Sequence, residues 1–261
     1  MIPKTIHYCW FGRNPLPKLA KKCIKSWKKY CPDYEIIEWN EDNYDLSSAP
    51  LYVRQAYEAK KWAFVTDYVR LHVVYEYGGI YMDTDVELIK PLDPLLQYNA
   101  YFGFEDGIYI NTGLGFGAVK GSPILREMMD DYFGMSFDPT GKNVVACPRV
   151  NTAVFLKHGL LQDNKNQVLD DEIIILPTEY LCPKSVIDGI TRKTKNTVSI
   201  HHYDSSWFTK ESQIEKKKSW KHLQRIIRWN YILHFPHRLA YKILGSDKYE
   251  KFRKVLGRKR S

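Results

Sequence analysis

The chain has 261 residues, 44% apolar and 14% aromatic, which is enough to fill the core of one α/β domain and excludes a largely disordered protein. Its formal charge of +9 is unevenly spread: residues 210–261 hold 16 Lys and Arg against 4 Asp and Glu, a net of +12, which leaves residues 1–209 at −3. The five cysteines form no CxxC pair, which argues against a disulfide framework or a zinc ribbon and for a reducing cytosol, and no apolar run reaches the about 18 residues of a membrane span or the pattern of a signal peptide.

Residues 3–10, PKTIHYCW, read as a first strand, closed by a Gly12-Arg13-Asn14-Pro15 turn. A strand exit this early is where doubly wound folds place a ligand. Next comes KLAKKCIKSWKKY, with Leu19, Cys23, Trp27 and Tyr30 at helical spacing against a lysine-rich face, followed by a second strand over 34–39 expected to lie parallel to the first. Residues 51–61 return to helical periodicity. The segment from Ala63 to about Tyr77 is apolar on nearly every side except at Asp67 and Arg70, which are three residues apart and therefore on one face. Charges on such a helix are paired or used.

Gly78-Gly79 stops that helix, and Ile80-Tyr81-Met82 reads as a short interior strand. Asp83-Thr84-Asp85 follows at its exit. Residues two apart in a strand point the same way, so both carboxylates are expected to face one point, an arrangement suited to chelating a hard cation. Further on, YFGFEDGIYINTGLGFGAVKGSP alternates glycine with aromatics and predicts two strands, the second carrying Asn111. Ser122 is placed to cap a helix beginning at Pro123, and Asn151 with Thr152 to open another. Strands are expected at 172–177 and 197–203, the last running into His201, His202, Asp204, Ser205, Ser206 and Trp207. The expected organisation is a catalytic domain over 1–209 and a basic helical tail over 210–261. In the tail, Trp220, Leu223, Ile227 and Tyr231 recur at helical spacing, Pro236 interrupts, and Tyr249, Phe252, Val255 and Leu256 repeat the pattern. Such a tail reads as a segment lying at an anionic membrane surface.

On Asp67-x-x-Arg70 followed by YGGIYMDTD, the chain resembles the capsular-polysaccharide and lipopolysaccharide sugar transferases of glycosyltransferase family 32 and, more distantly, the large clostridial glucosylating toxins. The resemblance implies a GT-A fold, a Rossmann-like α/β domain with a mixed, mostly parallel sheet, and retaining transfer of a sugar from a nucleotide-sugar, with a UDP-sugar favoured, using Mn²⁺ or Mg²⁺. It implies that Trp10 packs on the nucleotide base, that Asp67 and Arg70 hold hydroxyls of the donor sugar, and that Tyr81 and Asp83 line the donor site. Asp83, through water, Asp85 and His202 would hold the metal, with Ser205 and Trp207 closing on the diphosphate. In the toxins a glutamate stands where this chain has His202, and imidazole is a competent ligand for Mn²⁺. A polar group near the anomeric carbon would come from Asn111, Asp106 or Glu105. The expected acceptor is a lipid-linked glycan in bacterial surface polysaccharide synthesis, on the cytoplasmic leaflet. The alternatives are a toxin-like protein glycosyltransferase and, from a different class, a basic nucleic-acid-binding protein, which the near-neutral body argues against.

Overall fold

The computed structural model describes residues 1–139, 146–204 and 210–233, with a few single positions beyond. Ser205, Trp207, Pro236 and the apolar positions from Tyr249 onward lie outside the described residues. The chain divides into two units, Met1–Phe208 and Thr209–Ser261.

The first unit opens with β1 (Thr5–Cys9), α1 (Lys18–Tyr30), β2 (Glu35–Trp39), α2 (Leu51–Glu58) and α3 (Trp62–Tyr77). It continues through β3 (Gly79–Tyr81), β4 (Val86–Leu88), β5 (Ala100–Glu105), β6 (Tyr109–Ile110), β7 (Phe116–Ala118), α4 (Pro123–Asp130) and α5 (Cys147–Lys157). It closes with β8 (Gln167–Leu169), β9 (Ile173–Leu176), α6 (Thr178–Leu181) and β10 (Ser199–His201). The main sheet runs β2-β1-β3-β7-β5-β9-β8, with β6 paired on β5. In it β2, β1, β3, β5 and β9 share a direction while β7 and β8 run against them, a mixed and mostly parallel α/β sheet. A separate antiparallel ribbon pairs β4 with β10.

The central helix α3 is buried along most of its length, as its near-continuous apolar run requires, and only Glu76 and Tyr77 at its end are exposed. It terminates at Gly78, whose φ of +69° needs a glycine and whose N–H donates to the Val74 carbonyl. Gly79 is equally constrained, because a Cβ there would sit 2.7 Å from the Thr5 carbonyl oxygen. The helix stop is tied to the sheet by the buried His7, whose Nε2–H donates to the Gly78 carbonyl at 2.8 Å while Nδ1 accepts from Trp39 Nε1 at 3.1 Å. This network fixes the height at which β3 begins, and with it the position of Asp83.

Three local expectations differ from the fold. The glycine–aromatic stretch holds β5, β6 and β7 rather than two strands, since the Asp106-Gly107 turn folds part of it back as a hairpin. The Ser122 hydroxyl makes no cap bond on α4. Helix α5 starts at Cys147, so Asn151 lies one turn inside it, buried, donating from Nδ2 to Thr112 Oγ1 at 3.0 Å and to Cys147 Sγ at 3.1 Å. All five cysteines are free and buried.

The second unit is represented by α7 (Lys210–Leu233), a basic helix that exposes Ile214, Ile226, Ile227 and Trp229. Among the described residues, no helix is long and apolar enough to cross a membrane.

Candidate active site

The two carboxylates are gathered by a turn and not by strand alternation. β3 ends at Tyr81, and the Val86 N–H donates to the Asp83 carbonyl at 2.9 Å, so Asp83-Thr84-Asp85 form the bend leading into β4. Asp83 is held on one side by the Tyr81 hydroxyl, which donates to Oδ1 at 2.9 Å, and by its own N–H on the Gly113 carbonyl at 3.3 Å. Asp85 is held on the other side: its Oδ2 accepts the Asp204 N–H at 2.8 Å, and its carbonyl accepts the His202 N–H at 3.0 Å.

The third member of the cluster is His201. Its Nε2 lies 3.2 Å from Asp85 Oδ1, and ligand atoms of Asp83, Asp85 and His201 all fall within 4.8 Å of one another. Placing His202 here needs correction. Neighbouring residues on a strand point to opposite faces, and the register of β10 on β4 turns His201 inward. His202 turns to the other side, where its Nε2 meets Glu87 Oε2 at 2.8 Å. Burial opposes protonation of His201, but the adjacent Asp85 carboxylate outweighs it and raises the imidazole pKa well above its ordinary value. Asp85, despite burial, is held well below the usual carboxylate range, chiefly by His201. Two carboxylates and an imidazole make a donor set that fits Mn²⁺ or Mg²⁺, and the buried His201 Nδ1 has no hydrogen-bond partner among the described residues.

Beside this cluster α3 contributes an ionic nest. Arg70 Nη2 lies 2.9 Å from Asp67 Oδ1 and 3.6 Å from Asp83 Oδ1. Its Nε donates to the Thr66 carbonyl at 3.0 Å, its Nη1 to Thr112 Oγ1 at 3.4 Å, and its guanidinium stands 5.2 Å from the Tyr81 ring centre. Burial pushes the Asp67 carboxyl up to about 6 against the pull of Arg70. The site therefore joins Asp67, Arg70, Tyr81, Asp83, Asp85 and His201 in one connected constellation.

Asn111 sits just past β6, its Oδ1 accepting the Gly113 N–H at 2.7 Å. Gly113 is where the groups converge: a Cβ there would lie 2.3 Å from Asp83 Oδ2, 3.0 Å from Asn111 Oδ1 and 3.1 Å from Arg70 Nη1. Glu105, at the end of β5, has its carboxyl pKa raised by burial against the pull of His201. Asp106 is set apart. Its φ is +49°, in the turn that joins β5 to β6, where the Ile108 N–H donates to the Glu105 carbonyl at 3.4 Å, and burial raises the Asp106 carboxyl pKa. Trp10 lies one residue beyond β1, partly exposed, with its Nε1–H on the Asn14 carbonyl at 2.5 Å. Residues whose part sequence reasoning missed are His7 and Gly113, and only Gly113 left a signal, as one of the alternating glycines.

Residues 17–102 match the family described as the glycosyltransferase sugar-binding region containing a DXD motif. Asp67, Arg70, Asp83 and Asp85 all fall within the matched residues. Among curated relatives it is 33% identical over 132 residues to inositol phosphoceramide mannosyltransferase 3 of Schizosaccharomyces pombe, covering 49% of this chain and 36% of that protein. A mannosyl phosphorylinositol ceramide synthase of Saccharomyces cerevisiae is 31% identical over 116 residues, covering 39% of this chain and 27% of that protein. The match thus spans about a third of those relatives' length. A solved structure titled PaToxG glycosyltransferase aligns over 60% of this chain and 69% of its own, at a TM-score of 0.46 and 20% identity.

Proposed function

We propose that the protein is a metal-dependent, retaining glycosyltransferase that moves a sugar from a nucleotide-sugar to a lipid-linked acceptor. The observation that carries this reading is the meeting of Asp83, Asp85 and His201 beside the Asp67–Arg70 pair, inside the matched sugar-binding region. A divalent cation bound by these three residues supplies charge stabilisation to the departing diphosphate. Asp67 and Arg70 bind hydroxyls of the donor sugar, one as acceptor and the other as donor, each held by the other so that neither reorganises on binding. Tyr81 keeps Asp83 oriented through its hydroxyl. Asn111, braced by Gly113, is the polar group offered to the anomeric carbon. Trp10, Ser205 and Trp207 keep their proposed places around the nucleotide.

Two finer readings of the acceptor share one chemistry. The motif resemblance favours a UDP-sugar donor and a lipid-linked glycan of a bacterial surface polysaccharide on the cytoplasmic leaflet. The names of the fungal relatives favour mannosyl transfer to an inositol-phosphate lipid. Both put the acceptor on a lipid, and the basic helix α7 suits attachment at an anionic membrane surface. The test is a screen of nucleotide-sugars for Mn²⁺-dependent hydrolysis by the full chain, with Asp85→Ala in parallel. One donor is expected to be hydrolysed, with a loss of at least about a hundredfold in the variant, the scale of a metal's contribution to charge stabilisation. Equal rates in parent and variant overturn the assignment.

A further inference from the structure

We propose that the lysine face of α1 docks on the anionic headgroups of a lipid bilayer and so presents a lipid acceptor beside the Asp83–Asp85 turn; the presentation rests on the glycosyltransferase reading, the docking does not. At 100° per residue, Lys18, Lys21, Lys22, Lys25, Lys28 and Lys29 fall within an arc of about 120°, opposite the buried Ala20, Cys23 and Trp27. All six lysines are exposed, and the helix contains no acidic residue. Only Lys22 has an ion-pair partner among the described residues, Glu87 at 2.8 Å. Exposed helices ordinarily mix signs at i,i+4, whereas here Lys18–Lys22, Lys21–Lys25 and Lys25–Lys29 repel one another at that spacing. Nor is the face a by-product of composition, since residues 1–209 carry a net charge of −3.

The location is as specific as the charge. Trp27 Nε1–H donates to the Val86 carbonyl at 2.7 Å, and Ser26 Oγ accepts the Leu88 N–H at 2.9 Å, so α1 is pinned to β4, which begins at the residue after Asp85. The Glu87 oxygen that binds Lys22 also meets His202 at 2.8 Å, and a chain of contacts therefore runs from the lysine face to the neighbour of His201. The chemistry favours a bilayer over a nucleic acid. The face holds no arginine for bidentate phosphate contacts, the ring of Tyr30 at its edge is covered by Lys29 Nζ at 4.9 Å from the ring centre, and the flanks are the half-buried apolar Leu19 and Ile24. Lysine ammonium groups on a straight face about 20 Å long match a plane of headgroups.

The experiment is co-sedimentation of the full chain with phosphatidylcholine vesicles, with and without phosphatidylglycerol, near physiological salt. Lys18, Lys21, Lys25, Lys28 and Lys29→Gln form one combined variant, and Lys216, Lys217, Lys218 and Lys221→Gln in α7 a second, with thermal unfolding confirming that both fold. Loss of about fivefold in partition per neutralised lysine at the surface puts the expected fall for the α1 variant well over tenfold, on anionic vesicles only. The α7 variant is expected to retain the part of binding that the α1 variant loses. Partition of the α1 variant within twofold of the parent overturns the proposal, as does binding of a DNA duplex at the same salt as tightly as anionic vesicles. Nucleotide-sugar hydrolysis without vesicles is measured alongside. Equal rates in parent and α1 variant separate docking from catalysis, while absent hydrolysis in the parent counts against the activity reading and leaves the vesicle result to decide the docking.

Discussion

Arg70 shows how much of the site is decided by single side chains. Its guanidinium is buried, yet it meets two carboxylates and two Thr side chains, so the charge that α3 carries into the core is fully engaged. That Asp67 and Arg70 would be paired or used was legible from their spacing on an otherwise apolar helix. Which of two adjacent histidines faces the carboxylates was not, because the toxin-like spacing selects His202 while strand alternation and register select His201. The two assignments separate cleanly in a metal titration. His201→Ala is expected to raise the Mn²⁺ concentration for half-maximal donor hydrolysis by at least about tenfold, since perturbing even a group that supports a metal ligand costs 10- to 100-fold. His202→Ala, which removes the contact to Glu87, is expected to leave it within about threefold.

Among the elements, α1 and α3 were readable nearly to their ends, since each repeats apolar residues over three or more turns. The pairing of β4 with β10 was not. The strand expected over 197–203 contains β10, but β4 has three residues, too few for a pattern, and the partners lie far apart, as His202 and Glu87 do at 115 residues. That ribbon nevertheless completes the site, because it carries Asp85 and His201 at its two adjoining ends. Trp27 supports it from α1: the indole is fully buried and hydrogen-bonded to Val86. Trp27→Ala removes a large core side chain and that bond, at a cost of about 3–5 kcal/mol. At roughly 2–4 °C per kcal/mol for a domain of this size, thermal unfolding should move down by about 10 °C. A shift under a few degrees would mean that α1 does not depend on this anchor.

At the scale of the molecule, the division of charge between a slightly acidic first unit and a basic second one was visible in the sequence, as was the lysine-rich face of α1, whereas the attachment of that helix to β4, beside the Asp83–Asp85 turn, emerges only in the fold. A preformed, half-buried ligand cluster also predicts linkage. Mn²⁺ with the nucleoside diphosphate of the hydrolysed donor, at about 100 times its dissociation constant, should stabilise the full chain by about 2.7 kcal/mol, raising its unfolding temperature by roughly 5–10 °C. Chelation should abolish the rise, and an unchanged temperature with both ligands present would contradict the shared site. The sequence by itself determined the helices, the glycine stop after Tyr77 and the carboxylates available to the site, because these depend on short-range periodicity and backbone stereochemistry. Only the tertiary structure decided that Asp83 and Asp85 meet across a turn, that Asp106 falls in the turn between β5 and β6 and that His201 completes the cluster. Those outcomes depend on strand register and side-chain partners distant in the chain, about which local patterning carries no information.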